Sequence, residues 1–84
     1  MARNNALQQF GQIVREYRKA IGVSQEELAS RTDIHRTYIG GIERGERNPT
    51  LLMILRLAKA LGISPAQMFR TTIESEHEGR KTVE

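Results

Sequence analysis

The 84 residues of this chain set the scale of one small domain, and the absence of cysteine excludes disulfides and thiolate metal sites. A net charge of +3 hides an asymmetry: residues 1–70 carry 11 basic against 6 acidic side chains, and residues 71–84 carry 2 against 4. A basic body of this kind suits a polyanionic partner.

Five helices joined by short turns are expected, with no strand pattern, so the fold class is all-α. The first runs from about Asn5, as N-cap, to Ile21: Leu7, Phe10, Val14, Tyr17 and Ile21 recur at three- and four-residue spacing along one face. Gly22 suits the left-handed residue that closes it. Ser24-Gln25-Glu26-Glu27 is a capping box, in which the Ser24 hydroxyl meets the Glu27 amide and the Glu27 carboxylate reaches back. It opens a second helix that continues through Leu28 and Ala29 to about Arg31.

After a turn at Thr32-Asp33, the third helix covers roughly Arg36 to Arg44 and is closed by Gly45. Thr50 caps the fourth, which ends at Gly62. Ser64-Pro65-Ala66-Gln67 starts the fifth, with proline at the first helical position, where its missing N–H costs nothing. Periodicity disappears after Phe69. Residues 1–70 are therefore expected to form the domain, and residues 71–84 a disordered polar tail.

The first ten residues lack the apolar region of a signal peptide. The most apolar stretch, Leu51 to Leu61, is interrupted by Arg56 and Lys59 and is too short to span a bilayer. A soluble, cytoplasmic protein without a membrane partner is expected. The two histidines, His35 and His77, are too few for a metal cage, so no metal site is expected. No cofactor or small-molecule ligand is evident either.

The third helix holds an oddity: Gly40 and Gly41 are adjacent in its interior, where each glycine costs roughly 1 kcal/mol relative to alanine. On a helical wheel Ile39, Ile42 and Glu43 face one way, and Thr37, Gly40, Gly41 and Arg44 face the other, with Arg36 at the edge. The glycines are thus expected on the exposed face, where the lack of side chains permits close approach to another surface. With arginines beside them, that surface is expected to be a phosphate-lined groove. A capped short helix, a brief joint and a second short helix form a helix-turn-helix, the arrangement that lays its second helix in a major groove.

Three blocks, SQEELA from Ser24, HRTYIGGIERGERNPT from His35 and LAKALG from Leu57, resemble the Cro/C1-type (XRE) helix-turn-helix repressors in order and spacing. HRTYIGGIER also resembles the recognition helix of restriction–modification controller proteins. The resemblance implies a five-helix, lambda-repressor-like DNA-binding domain. It places Arg36 and Thr37 at base-contacting positions, where an arginine bidentate to guanine O6 and N7 is worth about 1–3 kcal/mol of discrimination. Gln25 matches a residue that binds a backbone phosphate beside a helix N-terminus, itself an anion site.

Tyr38 lies at the edge of the DNA face, contacting backbone or packing on helix two, and Arg44 and Arg47 look like phosphate clamps. His35 stands where relatives carry a better cap, so Asp33 or water is expected to cap the helix and His35 to touch DNA. Relatives often carry a long polar side chain where Gly41 stands; specificity is then expected to rest on Arg36, Thr37 and DNA deformability. Arg18 and Glu43 match a buried ion pair that joins helices one and three.

Helix four is more apolar than one buried face needs. Ile54, Leu55, Leu57, Ala58 and Leu61 form the expected core arc, leaving Leu52 and Met53 on the outer side with Arg56, Lys59 and Ala60. An interface between two copies is expected there, extended by Ile63, Met68 and Phe69; the alternative is that helix five or the tail covers it. A two-fold dimer would set its recognition helices about 34 Å apart, matching successive major grooves.

The resemblance therefore implies a homodimeric regulator of transcription that binds double-stranded DNA at inverted repeats, with autoregulation as an extension. The alternative is an antitoxin-like module that binds a partner protein through helix four. No enzyme is expected: Glu26 and Glu27 face different directions, and neither histidine has an obvious catalytic partner.

Overall fold

The computed structural model describes residues 5–69, all of them in helices or short joints. Four helices, α1 (Asn5–Ala20), α2 (Gln25–Thr32), α3 (Arg36–Glu43) and α4 (Leu51–Leu61), are followed by a short α5 over residues 65–69. The acidic tail at 71–84 lies outside the described residues. None of the described helices is long and apolar enough to cross a membrane.

The ends of the helices follow from their caps. Past α1 the Val23 amide bonds back to the Arg18 carbonyl, which brings Val23 into the core and leaves Ile21, expected on the buried stripe, 44% exposed. Ser24 accepts from the Glu27 amide at 3.0 Å, while the Glu27 carboxylate, expected to reach back, pairs with Arg31 at 2.9 Å instead. Thr50 caps α4 through the Met53 amide, and Ser64 and Gln67 exchange bonds at the start of α5.

The α2–α3 joint is tight. Asp33 takes a left-handed conformation (φ 58°), and the next amide, Ile34, bonds to the Ala29 carbonyl and carries its own side chain into the core. Asp33 therefore ends α2 and does not cap α3. His35 does that, its Nδ1 accepting from the Thr37 amide at 3.2 Å. This reverses the expectation for both residues: an imidazole nitrogen two residues before the amide can reach it as a shorter cap would.

Phe10, Val14, Val23, Leu28, Ile34, Ile39, Ile42, Leu57, Ala58, Leu61 and Met68 form one buried cluster. Met68, expected at an interface, is fully buried because α5 folds back over the core; Phe69 stacks on Phe10 with ring centroids 5.5 Å apart. Met53, Ile63 and Phe69 are partly buried against the same cluster. On α4 the core arc is centred on Leu57 and Leu61, so Leu55, expected inside, is 43% exposed beside Leu51 at 68% and Leu52 at 65%.

Two features hold α3 against α1. One is close backbone approach: a Cβ at Gly11 would meet the carbonyls of Ile42 and Glu43, with the Glu43 carbonyl carbon 2.8 Å away. Gly45 (φ +77°) repeats this at the end of α3, where a Cβ would lie 2.8 Å from the Gln8 Cα. The other is an ion pair. Arg18 donates from Nε to Glu43 Oε2 at 2.7 Å, from Nη2 to Glu43 Oε1 at 3.0 Å and from Nη1 to the Val23 carbonyl at 2.9 Å. Gln25 adds a fourth bond, Nε2 to Glu43 Oε1 at 2.9 Å.

The hydrogen bonds to Glu43 raise the Arg18 pKa above its ordinary value, and desolvation only partly opposes them. A raised pKa stabilises the fold below the unfolded value and ceases to do so only as pH climbs through the folded one. Arg18 consequently stays charged through the whole neutral range.

Two stability measurements follow. Gly11→Ala should lose about 1–3 kcal/mol through overpacking, more than the roughly 1 kcal/mol that alanine gains over glycine in a helix; wild-type stability in urea would mean that α1 and α3 part without cost. Glu43→Ala should lose about 3–5 kcal/mol by stranding a buried guanidinium, whereas Arg18→Met combined with Glu43→Leu should recover most of that loss. Equal losses in the single and double variants would show that the charge itself is not what is stranded.

Candidate nucleic-acid interface

α3 is eight residues long, and its first turn is its most exposed part. Arg36 and Thr37 both project there into solvent. Because His35 Nδ1 accepts the Thr37 amide bond, the proton of a neutral His35 ring sits on Nε2, a donor beside these two residues. The Arg36 Nε lies 4.0 Å from the Glu26 carboxylate, an exposed contact between α3 and the first turn of α2.

The far end of α3 carries the other cations. Arg44 is the C-cap residue, and its Nε pairs with Glu46 at 3.0 Å. Arg47 follows in the loop, its guanidinium carbon 5.5 Å from the centre of the Tyr38 ring. The Tyr38 hydroxyl donates to the Asn48 carbonyl at 3.4 Å, and its ring is partly buried against the core. Exposed pairs such as Arg36–Glu26 and Arg44–Glu46 are worth only about 0–1 kcal/mol, so a phosphate or a base edge can displace them.

Gly40 and Gly41 are not bare. Both are buried, contrary to the expectation of an open helix face. Side chains of the same chain cover them: a Cβ at Gly40 would lie 3.1 Å from Arg44 Nη1 and 3.7 Å from Gln25 Oε1, and one at Gly41 only 2.5 Å from Arg47 Cγ. The wheel placed them on the correct side of α3 but could not show that nearby arginines fold back across it.

Gln25, expected at a backbone phosphate, spends one amide hydrogen on Glu43. A primary amide has two, so the second can still serve an anion at the N-terminus of α2. The structure thus joins Gln25 to the Arg18–Glu43 pair and brings His35, Arg36 and Thr37 together at one end of α3. Tyr38, Gly41 and Arg47 form a second group, running along α3 to the loop after it.

Sequence reasoning missed Glu26 and Glu46 as partners of the arginines, and it missed Leu51 and Leu55 as neighbours of exposed Leu52. The signal for the leucines was available: positions 51, 52 and 55 share one arc of a helix. Among the described residues, no three His, Asp or Glu side chains converge as a metal site.

Comparison with known proteins agrees with this geometry. Residues 14–68 match the helix-turn-helix family model. The control protein C.BamHI of Bacillus amyloliquefaciens is 44% identical over 79 residues, covering 93% of this chain and 98% of its own length. The restriction–modification controller protein C.AhdI from Aeromonas hydrophila superposes with a TM-score of 0.74 at 52% identity, over 75% of this chain and 96% of that one. The controller protein C.Esp1396I, solved as a tetramer with its natural 35 base-pair operator, superposes with a TM-score of 0.74 at 32% identity, over 84% and 93% of the two chains. This chain belongs to the helix-turn-helix family of the Cro/C1 (XRE) type and is similar within it to the restriction–modification controller proteins.

Proposed function

We propose that the protein is a cytoplasmic regulator of transcription that binds double-stranded DNA as a homodimer at inverted-repeat operators, its own promoter among them. The observation that carries this reading is the exposed first turn of a capped α3, bearing Arg36 and Thr37, with Arg44 and Arg47 at the opposite end of the same helix. The likeness to C.Esp1396I, crystallised on its operator, supports a DNA partner.

In this reading α3 enters the major groove N-terminus first. Arg36 exchanges Glu26 for guanine O6 and N7, Thr37 meets an adjacent base, and the Nε2–H of His35 reaches a base edge or sugar. Phosphates on either side are held by Gln25 with the free amides of α2, and by Arg44 and Arg47. Tyr38 contributes as the ring beneath Arg47. In this reading Gly40 and Gly41 lie under arginine side chains of the same chain and do not admit the DNA backbone directly.

The dimer forms through the outer face of α4. Leu51, Leu52 and Leu55 make its apolar centre, and Met53, Ile63 and Phe69 border it. Met68 has no place there, since the core of its own protomer encloses it. Burying three leucines against a second copy removes apolar surface from water at about 25 cal/mol per Å². Oligomerisation also supports a domain this small.

Two experiments test the reading. Selection of bound duplexes from a random pool should return an inverted repeat with a symmetric guanine, and Arg36→Ala should lose about 1–3 kcal/mol of discrimination at that guanine alone. Recovery of no motif, with binding that fades uniformly as salt rises, would leave only electrostatic attachment. Leu52→Glu with Leu55→Glu should convert the dimer to a monomer in sedimentation while far-UV circular dichroism stays unchanged. A wild-type chain that sediments as a monomer at every concentration would overturn the homodimer.

A further inference from the structure

We propose that Gly41 is a positioning residue for Arg47: its missing side chain is the seat on which the arginine stem lies, so that the guanidinium is held ready for a DNA phosphate. The inference rests on the reading of Arg47 as a backbone contact and deepens it.

Backbone conformation does not call for glycine here. Gly22, Gly45 and Gly62 have positive φ, whereas Gly41 lies within α3 and does not. Alanine would therefore fit the backbone, and would suit a helix better. Space is what differs. A Cβ at this position would lie 2.5 Å from Arg47 Cγ, 3.4 Å from Nε and 3.5 Å from Cδ, the whole length of the stem. Gly40 differs in kind, because a Cβ there would press only on the tip of Arg44, at 3.1 Å, and would meet Gln25 Oε1 at an ordinary 3.7 Å.

The rest of the seat is already built. Tyr38 stands one turn earlier on the same face of α3, with its ring centre 5.5 Å from the Arg47 guanidinium carbon. Its hydroxyl bonds to the carbonyl of Asn48, the residue next to Arg47. The Gly41 carbonyl accepts from the Glu46 amide at 2.8 Å, pinning the loop on the other side of Arg47. Stem on glycine and guanidinium on tyrosine fix an otherwise freely rotating side chain. Ordering it before DNA arrives lowers the entropy lost on binding.

The test uses the full chain and has two arms. In the DNA-free protein, the Arg47 side-chain resonances should be shifted upfield by the Tyr38 ring. Gly41→Ala should abolish that shift without lowering Tm, and Gly40→Ala should preserve it. On a duplex selected by the wild-type protein, Arg47→Ala should reduce the slope of log K against log salt by about 1, and Gly41→Ala should weaken binding while keeping the slope, because the charge remains. The double variant should bind no more weakly than Arg47→Ala.

An unchanged Arg47 shift in Gly41→Ala would overturn the seat. Additive losses in the double variant would also overturn it, since Gly41 would then meet DNA on its own account. If Gly41→Ala abolishes the shift but Arg47→Ala binds DNA like wild type, the proposed readiness for phosphate fails together with the backbone-contact reading. The resonance arm separates that result from a missing seat.

Discussion

Glu43 is where the molecule is tied together. A carboxylate on the inner face of α3 is costly to bury unless it is paired and hydrogen-bonded, and here Arg18 donates to it twice and Gln25 once. Because Arg18 also holds the Val23 carbonyl, the knot takes in α1, the joint before α2, α2 itself and α3. A well-packed apolar trio could match its net stability. What the knot adds is direction, because its hydrogen bonds depend on angle as well as contact and so constrain the rotation of α3 about its own axis. The orientation of Arg36 and Thr37 thus depends on a residue that itself faces the core.

Gly11 sets the complementary distance. The ion pair defines how α3 is turned, and the missing side chain on α1 lets the two backbones touch. Neither feature belongs to the recognition surface, yet both decide where that surface lies. A substitution at either position would therefore damage DNA recognition without touching DNA, and would be mistaken for a contact residue if stability were not measured alongside binding.

The sequence revealed most where physics is local. Apolar spacing and side-chain caps placed the helices within a residue or two, since a cap needs only neighbours a few positions away. It failed where the deciding partner is distant or where a side chain folds back. His35 looked like a poor cap until the left-handed Asp33 set the path of the joint. Leu55 looked buried because the expected core arc was drawn wide enough to include it; the true centre, at Leu57 and Leu61, is set by which α4 residues face α2 and α1. Gly11 passed unremarked, because nothing in its own helix discloses that another backbone lies against it. The family resemblance supplied Arg18 and Glu43, which spacing alone could not have paired across 25 residues.

In the proposed reading, the charge arrangement around α3 also has a consequence for selectivity. Arg36 and Arg44 each stand beside a carboxylate, and Arg47 lies over a ring. An unspecific polyanion must replace these partners at every arginine and gains only phosphate contacts in return. It also meets the negative charges of Glu26 and Glu46. A cognate site would gain the proposed bidentate guanine contact as well, and that gain does not fade with salt as phosphate contacts do. Self-pairing on the surface therefore lowers binding to all DNA by a similar amount, while the base contact is retained only where the sequence is right. A term common to all DNA cancels from the ratio of cognate to other binding, so the base contact alone sets that ratio. For a small domain with a modest net charge, the weakened common term keeps the protein from being held wherever phosphate is plentiful.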